Sequence, residues 1–143
     1  MNLNVLAPPD TNGNSLPDAW ETAYGLNNPA ADQDADGHSN FAEYLANTNP
    51  TNAASALRII SVTRNASGHV TLVWSSVGGT RYRAQYLNAN LGSNAFTDIV
   101  RPLSAEMDPA PYNQISTRTF VDDFTLTGGA TNASRYYRIR IVQ

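Results

Sequence analysis

The chain has 143 residues, a formal net charge of −3, no cysteine and no lysine. Such a length holds one ordinary domain or two small ones, and the missing cysteines exclude disulfide staples and thiol chemistry. An acidic total without lysine argues against a nucleic-acid partner.

The charge is unevenly placed, which favours two domains. Residues 1–57 carry seven acids and no basic residue, giving −7. Residues 58–143 carry all nine arginines against five acids, giving +4. At the N-terminus, Met1–Ala7 lacks the charged region and apolar core of a signal peptide, and no later stretch is apolar for long enough to span a bilayer.

A twelve-residue acidic loop follows, with Asp10, Asn12, Asn14, Asp18 and Glu21 at positions 1, 3, 5, 9 and 12. Calcium takes six to eight oxygen ligands at roughly 2.4 Å, and a curled loop turns alternate residues inward to supply them. Position 7 contributes its backbone carbonyl, so Leu16 is a ligand through its main chain. Ser15 stands at position 6 where the motif expects glycine, so a non-glycine residue has to take a positive φ. Pro17 suits a helix start, and the following segment, Asp18–Tyr24, ends at Gly25, a natural stop.

A second loop begins 22 residues later, with Asp32, Asp34, Asp36, Asn40 and Glu43 at the same five positions and His38 at position 7. It fits the full pattern D-x-[DN]-x-[DN]-G-x5-E, with Gly37 at the bend. Ser39 is placed to cap a helix over residues 40–46. An acidic, Asn-rich stretch also describes a solvated turn; two in the same register argue against that. Loop one offers three carboxylates and loop two offers four, so loop two is expected to bind more tightly. Two calcium ions are expected in all. Pro8 and Pro9 precede the first loop and Pro29 the second, so neither has an entering helix. The two short helices rely on metal and on packing among Trp20, Tyr24, Phe41, Tyr44 and Leu45, and residues 10–47 are expected to loosen without calcium.

Two loop-helix repeats about 22 residues apart resemble a dockerin. Their wording, D-x-N-G-N-x-L-P-D-A-W-E and D-x-D-x-D-G-x-S-N-x-x-E-Y, is more similar to the thrombospondin type 3-like calcium repeats of bacterial secreted proteins. In those proteins such repeats often precede a T-x-P-T linker and a C-terminal β-sandwich, and Thr48–Thr51 fits that linker. The resemblance covers roughly residues 10–56. It implies calcium at the positions named. No cohesin-recognition signature is present.

From residue 57 the hydrophobic period becomes two. Strands are expected over 57–64, 69–74, 80–86, 97–100, 115–121 and 135–141, punctuated by Gly68, Gly78-Gly79 and Gly128-Gly129. The succession V-T-L-V-W, Y-R-A-Q-Y and Y-Y-R-I-R resembles strands B, C and F of fibronectin type III-like domains. The expected fold class is therefore mostly β: an antiparallel β-sandwich of immunoglobulin/fibronectin III type over 57–143, preceded by a small loop-helix calcium module over 1–50, with a linker at about 48–56. Alternation turns Val70, Leu72, Trp74, Tyr82, Ala84, Tyr86, Tyr137, Ile139 and Ile141 inward. Arg81, Arg83, Gln85, Arg138 and Arg140 then share a solvent face, where arginine forks suit carboxylate or sulfate groups. Arginines on an exposed sheet also serve simply to block edge association.

Residues placed for catalytic chemistry are few. The histidines are His38, inside a loop, and His69, at a strand start; there is no G-x-S-x-G, H-E-x-x-H or phosphate loop. Asp122 and Asp123 are adjacent on a strand end and point apart. The expectation is a non-enzymatic, monomeric, calcium-binding C-terminal piece of a larger secreted bacterial protein, since open loops of this kind fill at extracellular calcium. Its partners would be the parent protein's upstream domains and a polysaccharide, plausibly an acidic one. Structural attachment or sorting, and dockerin-like protein binding, are the alternatives.

Overall fold

A computed structural model describes residues 7–88, 95–99, 107–129 and 134–142. The chain divides into two compact units, Met1–Ala56 and Leu57–Gln143.

In the first unit, helix α1 spans Asp18–Tyr24 and helix α2 spans Asn40–Ala46, as the sequence suggests. Pro17 caps α1 in extended conformation, and Asp18 and Glu21 place negative charge at its positive end. The Ser39 hydroxyl accepts the Ala42 N–H at the start of α2. Gly25 (φ 69°) and Asn47 (φ 57°) end the two helices in the left-handed conformation. The Trp20 and Tyr44 rings meet edge to face at 6.2 Å, joining the helices, with Tyr24 and Phe41 against them. The aromatics are only partly covered. Leu16 is fully removed from water, at 0 % exposure.

The stretch expected to link the units is itself folded. Thr48, Pro50, Ser55 and Ala56 are buried. The Asn49 N–H donates to Ser55 Oγ (3.0 Å), and Ser55 N–H donates to the Asn52 carbonyl (2.7 Å). Short polar side chains satisfy this backbone locally, so it needs neither helix nor sheet. The boundary therefore falls between Ala56 and Leu57, at the far end of that stretch.

The second unit contains β1 (Ile59–Arg64), β2 (Val70–Val77), β3 (Tyr82–Asn88), β4 (Thr97–Asp98), β5 (Ile115–Asp122) and β6 (Arg135–Ile141). Val100, expected in the fourth strand, lies outside the described residues. Among the described residues these form two antiparallel three-stranded sheets, ordered β1-β2-β5 and β4-β3-β6. Leu72 and Trp74 from one sheet meet Tyr82 and Ala84 from the other, together with Ile99. Val70, Tyr86, Tyr137, Ile139 and Ile141 pack against this core, so every residue that alternation turned inward belongs to it. A sandwich of two sheets accounts for this arrangement.

Two features hold the connections. At Gly78 an added Cβ would lie 2.0 Å from the Pro111 carbonyl oxygen, so only glycine admits the 110–111 backbone there. Asp122, 2 % exposed, accepts from Arg135 Nη1 (3.0 Å), the Tyr137 hydroxyl (2.8 Å) and Thr127 Oγ1 (2.8 Å). The Arg135 guanidinium lies over the Phe124 and Tyr86 rings, 4.9 and 5.2 Å from their centres. Burial and the neighbouring Asp122 push the Tyr137 hydroxyl up to about 12. Asp123 turns away and accepts from Thr125. Among the described residues, no helix is long and apolar enough to cross a membrane.

Candidate metal centre

The two acidic loops bend through one backbone path. Positions 4 and 6 are left-handed in both: Gly13 (φ 69°) and Ser15 (φ 77°) in loop one, Ala35 (φ 59°) and Gly37 (φ 95°) in loop two. Each loop thus has glycine at one of these positions and a strained residue at the other. The position-1 carboxylate gathers the turn in both. Asp10 accepts from Asn14 and Ser15 N–H (3.2 and 2.8 Å), and Asp32 accepts from Asp36 and Gly37 N–H (3.2 and 2.9 Å). The position-5 side chain accepts from the position-7 N–H at 2.8 Å in each. The position-9 N–H returns to the residue before the loop, Asp18 to Pro9 (2.9 Å) and Asn40 to Ala31 (2.7 Å).

Loop two leaves five of its oxygens bare. Asp32, Asp34 and Asp36 each bring a carboxylate oxygen within 4.8 Å of the others. Asp36 spends Oδ1 on His38 N–H, leaving Oδ2 buried without a partner. Asn40 donates Nδ2 to the Asn28 carbonyl (2.8 Å), which fixes the amide and leaves Oδ1 without a partner. Glu43 takes the Thr48 hydroxyl on Oε1 (3.2 Å) and leaves Oε2. Both oxygens of Asp34 are buried and unpartnered. These five oxygens belong to positions 3, 5, 9 and 12.

Such an arrangement is costly by itself. Each buried, unsatisfied polar group costs about 1–3 kcal/mol, and more when charged. Asn40 and Glu43 are each 1 % exposed. Burial, then the Asp34 charge, raises the Glu43 carboxyl to about 7. The donor set is all oxygen and mostly anionic, with no sulfur, which suits a hard cation such as calcium. The residues present therefore fit the ion, with the His38 carbonyl at position 7 as the main-chain ligand the motif provides.

Loop one places its expected ligands differently. Asn12 donates Nδ2 to both oxygens of Glu21 (2.9 and 3.1 Å), and Asn14 donates Nδ2 to Glu21 Oε1 (2.6 Å) and to the Asn27 carbonyl (2.8 Å). Asp18 accepts from Thr11 N–H (2.8 Å) and the Thr11 hydroxyl (2.6 Å), which hold its carboxyl below the usual range. The Leu16 side chain fills the unit's interior, whereas His38 at the same position turns back toward Asp36 (3.1 Å).

Pairing in the second unit sets the arginine face. Arg83 lies opposite Arg140, and Gln85 opposite Arg138. Asp98 of β4 sits among them, accepting from Arg83 Nη1 (2.6 Å), Gln85 Nε2 and Arg140 Nη2 (3.3 Å). The Arg83 bond, then Gln85, holds Asp98 down to about 2. The Arg138 guanidinium lies 4.3 Å from the centre of the Phe96 ring, and its Nε donates to Gln85 Oε1. Gln85, expected to face solvent, is instead buried at 6 % exposure, because both ends of its amide are engaged beneath the arginines. Arg81 is exposed, just before β3, and bridges to Met107.

Sequence reasoning overlooked three residues that shape these sites. Thr48 orients Glu43, and its only signal is a threonine soon after the loop. Asp98 and Phe96 reach the arginines through strand pairing, which spacing along the chain does not reveal. His69, the one candidate base, stands edge-on to Phe124 at 6.2 Å. No family model, curated protein or solved structure matches this chain.

Proposed function

We propose that the N-terminal unit is a calcium-stabilised module and that the chain is a non-catalytic accessory part of a secreted bacterial protein. The observation that carries this reading is the set of five bare, buried oxygens on Asp34, Asp36, Asn40 and Glu43. A divalent cation satisfies all of them at once and offsets the mutual repulsion of the carboxylates. Calcium then holds this unit in shape, because binding free energy to a site absent from the unfolded chain is folding free energy. With the ion at about 100 times its Kd, the gain is about 2.7 kcal/mol. Thermal unfolding followed at Trp20, with and without chelator, tests this; an unchanged midpoint would sink it. The repeats remain similar to thrombospondin type 3-like repeats.

For the second unit the reading is an immunoglobulin/fibronectin III-like sandwich. With β1, β2 and β5 as strands A, B and E, and β3 and β6 as C and F, the sheet membership follows that fold. Its arginine face supports binding of an acidic polysaccharide, since Arg83 and Arg140 share a single carboxylate, Asp98, while Arg138 stands beside them on Gln85, leaving a positive excess. One observation favours a second reading, attachment to the parent protein or cell-surface material: Asp98 already engages Arg83 and Arg140 within the sheet. Affinity electrophoresis on carboxylated, sulfated and neutral polysaccharides separates the two. Retardation on the acidic gels that disappears in Arg138→Ala/Arg140→Ala supports glycan binding; equal mobility on every gel supports attachment.

A further inference from the structure

We infer that loop one is closed by its own asparagine amides, so that it keeps its shape without an ion and takes up calcium only after those amides turn over, at much higher calcium than loop two. The inference rests on the reading of loop two as a calcium site.

Because the two loops share their backbone path, their side chains can be compared atom by atom. At position 5, Asp36 and Asn14 both accept the position-7 N–H on Oδ1. The other terminal atom of Asp36 is a bare oxygen. In Asn14 it is an NH2 group, which donates to Glu21 Oε1 and to the Asn27 carbonyl. At position 3 both oxygens of Asp34 are bare, whereas Asn12 accepts from Asn14 N–H (3.0 Å) and donates to Glu21. At position 9, Asn40 Oδ1 is bare, whereas both oxygens of Asp18 are taken by Thr11. At position 12, Glu43 Oε2 is bare, whereas both oxygens of Glu21 receive amide protons.

An amide N–H donates and cannot ligate a cation. The two asparagines therefore do for Glu21 what an ion does for Glu43: they bring positive charge density to its oxygens and draw position 12 onto positions 3 and 5. Hydrogen bonds to a charged acceptor are the stronger kind. For calcium to enter, three of them must break, both amides must rotate, and Asp18 must leave Thr11. None of this is required at loop two. Calcium dependence is thereby confined to the second repeat, and the first supplies a constant scaffold, tied to it through the adjacent carbonyls of Asn27 and Asn28.

The test is calorimetric titration of calcium into the metal-stripped full chain, paired with side-chain amide exchange measured by NMR in chelator. One tight ion is expected, lost in Asp34→Ala and retained in Glu21→Gln. The Asn12→Asp/Asn14→Asp variant is expected to gain a second tight ion, with loop-one affinity raised at least about tenfold by the added ligand charge. Protected Nδ2 protons on Asn12 and Asn14, released in Glu21→Gln, support the closure directly. Two ions of similar affinity in the wild type, one lost in each single variant, overturn the inference and leave the loop-two reading standing. Absence of any tight ion overturns both. Fast exchange at both wild-type amides overturns the closure whatever the stoichiometry.

Discussion

Loop one and loop two turn left-handed at the same two positions and share backbone hydrogen bonds at positions 1, 5 and 9, yet they treat their acids in opposite ways. Loop one engages Glu21 and Asp18 with amides and a hydroxyl from within the loop. Loop two leaves oxygens of Asp34, Asp36 and Glu43 buried and bare. Asp122 in the second unit offers a third treatment: it is as buried as Glu43 but has the Arg135 guanidinium for its cation. A buried carboxylate must meet positive charge density, from an amide, an arginine or an ion. Backbone shape does not say which; the partner atoms do.

The largest effect that sharpens the comparison concerns position 7. Leu16 is fully buried and His38 is about one-third exposed, at 35 %. Leu16→Ala is expected to destabilise the N-terminal unit by about 3 kcal/mol through the lost apolar contacts and the cavity. His38→Ala should cost less than about 1 kcal/mol. Chemical denaturation in saturating calcium measures both, and equal losses would break the claim that loop one carries the packing.

The next effect concerns the left-handed positions. Ser15→Gly and Ala35→Gly should each stabilise by about 1 kcal/mol, because each removes the strain of a side chain at positive φ. Gly13→Ala and Gly37→Ala should cost about as much. Gains confined to one loop would show that the two backbones differ in solution.

The smallest effect belongs to Asp98, which extends the comparison to an acid satisfied at the surface. Its folded pKa, about 2, lies below its ordinary 3.8. Its contribution is therefore present above about pH 4 and lost as the pH falls toward 2. The site is partly exposed, so the effect should be under about 1 kcal/mol. Comparing wild type with Asp98→Asn at pH 5 and pH 2.5 by urea unfolding isolates it. A wild-type advantage that is unchanged at the lower pH would refute the pairing with Arg83.

Much of this was legible in the chain because it is local. The 22-residue spacing, the Ser39 cap, the left-handed Ser15 and the stop at Gly25 depend on neighbours a few residues away. Strand alternation turned the right residues of β2, β3 and β6 inward, because one buried face requires it. The polar side chains of the 48–56 stretch look solvated in sequence but close on one another and, through Thr48, on Glu43. Gln85 was misjudged for a related reason. Parity gives its face, but its burial comes from Asp98 and Arg138, which only strand pairing brings near.

The sequence by itself determined where oxygen-bearing side chains fall in each loop, where the helices start and stop, and where the hydrophobic period changes from loop-helix to strand. These are matters of covalent spacing and local backbone preference. Only the tertiary structure decided which of those oxygens are left bare. That depends on the Asn28 carbonyl, the Thr48 hydroxyl and the reach of two asparagine amides to Glu21, contacts between residues 5 to 12 apart in the chain. A ligand pattern states what a loop can bind; the hydrogen bonds already made in the fold decide what it still has to bind.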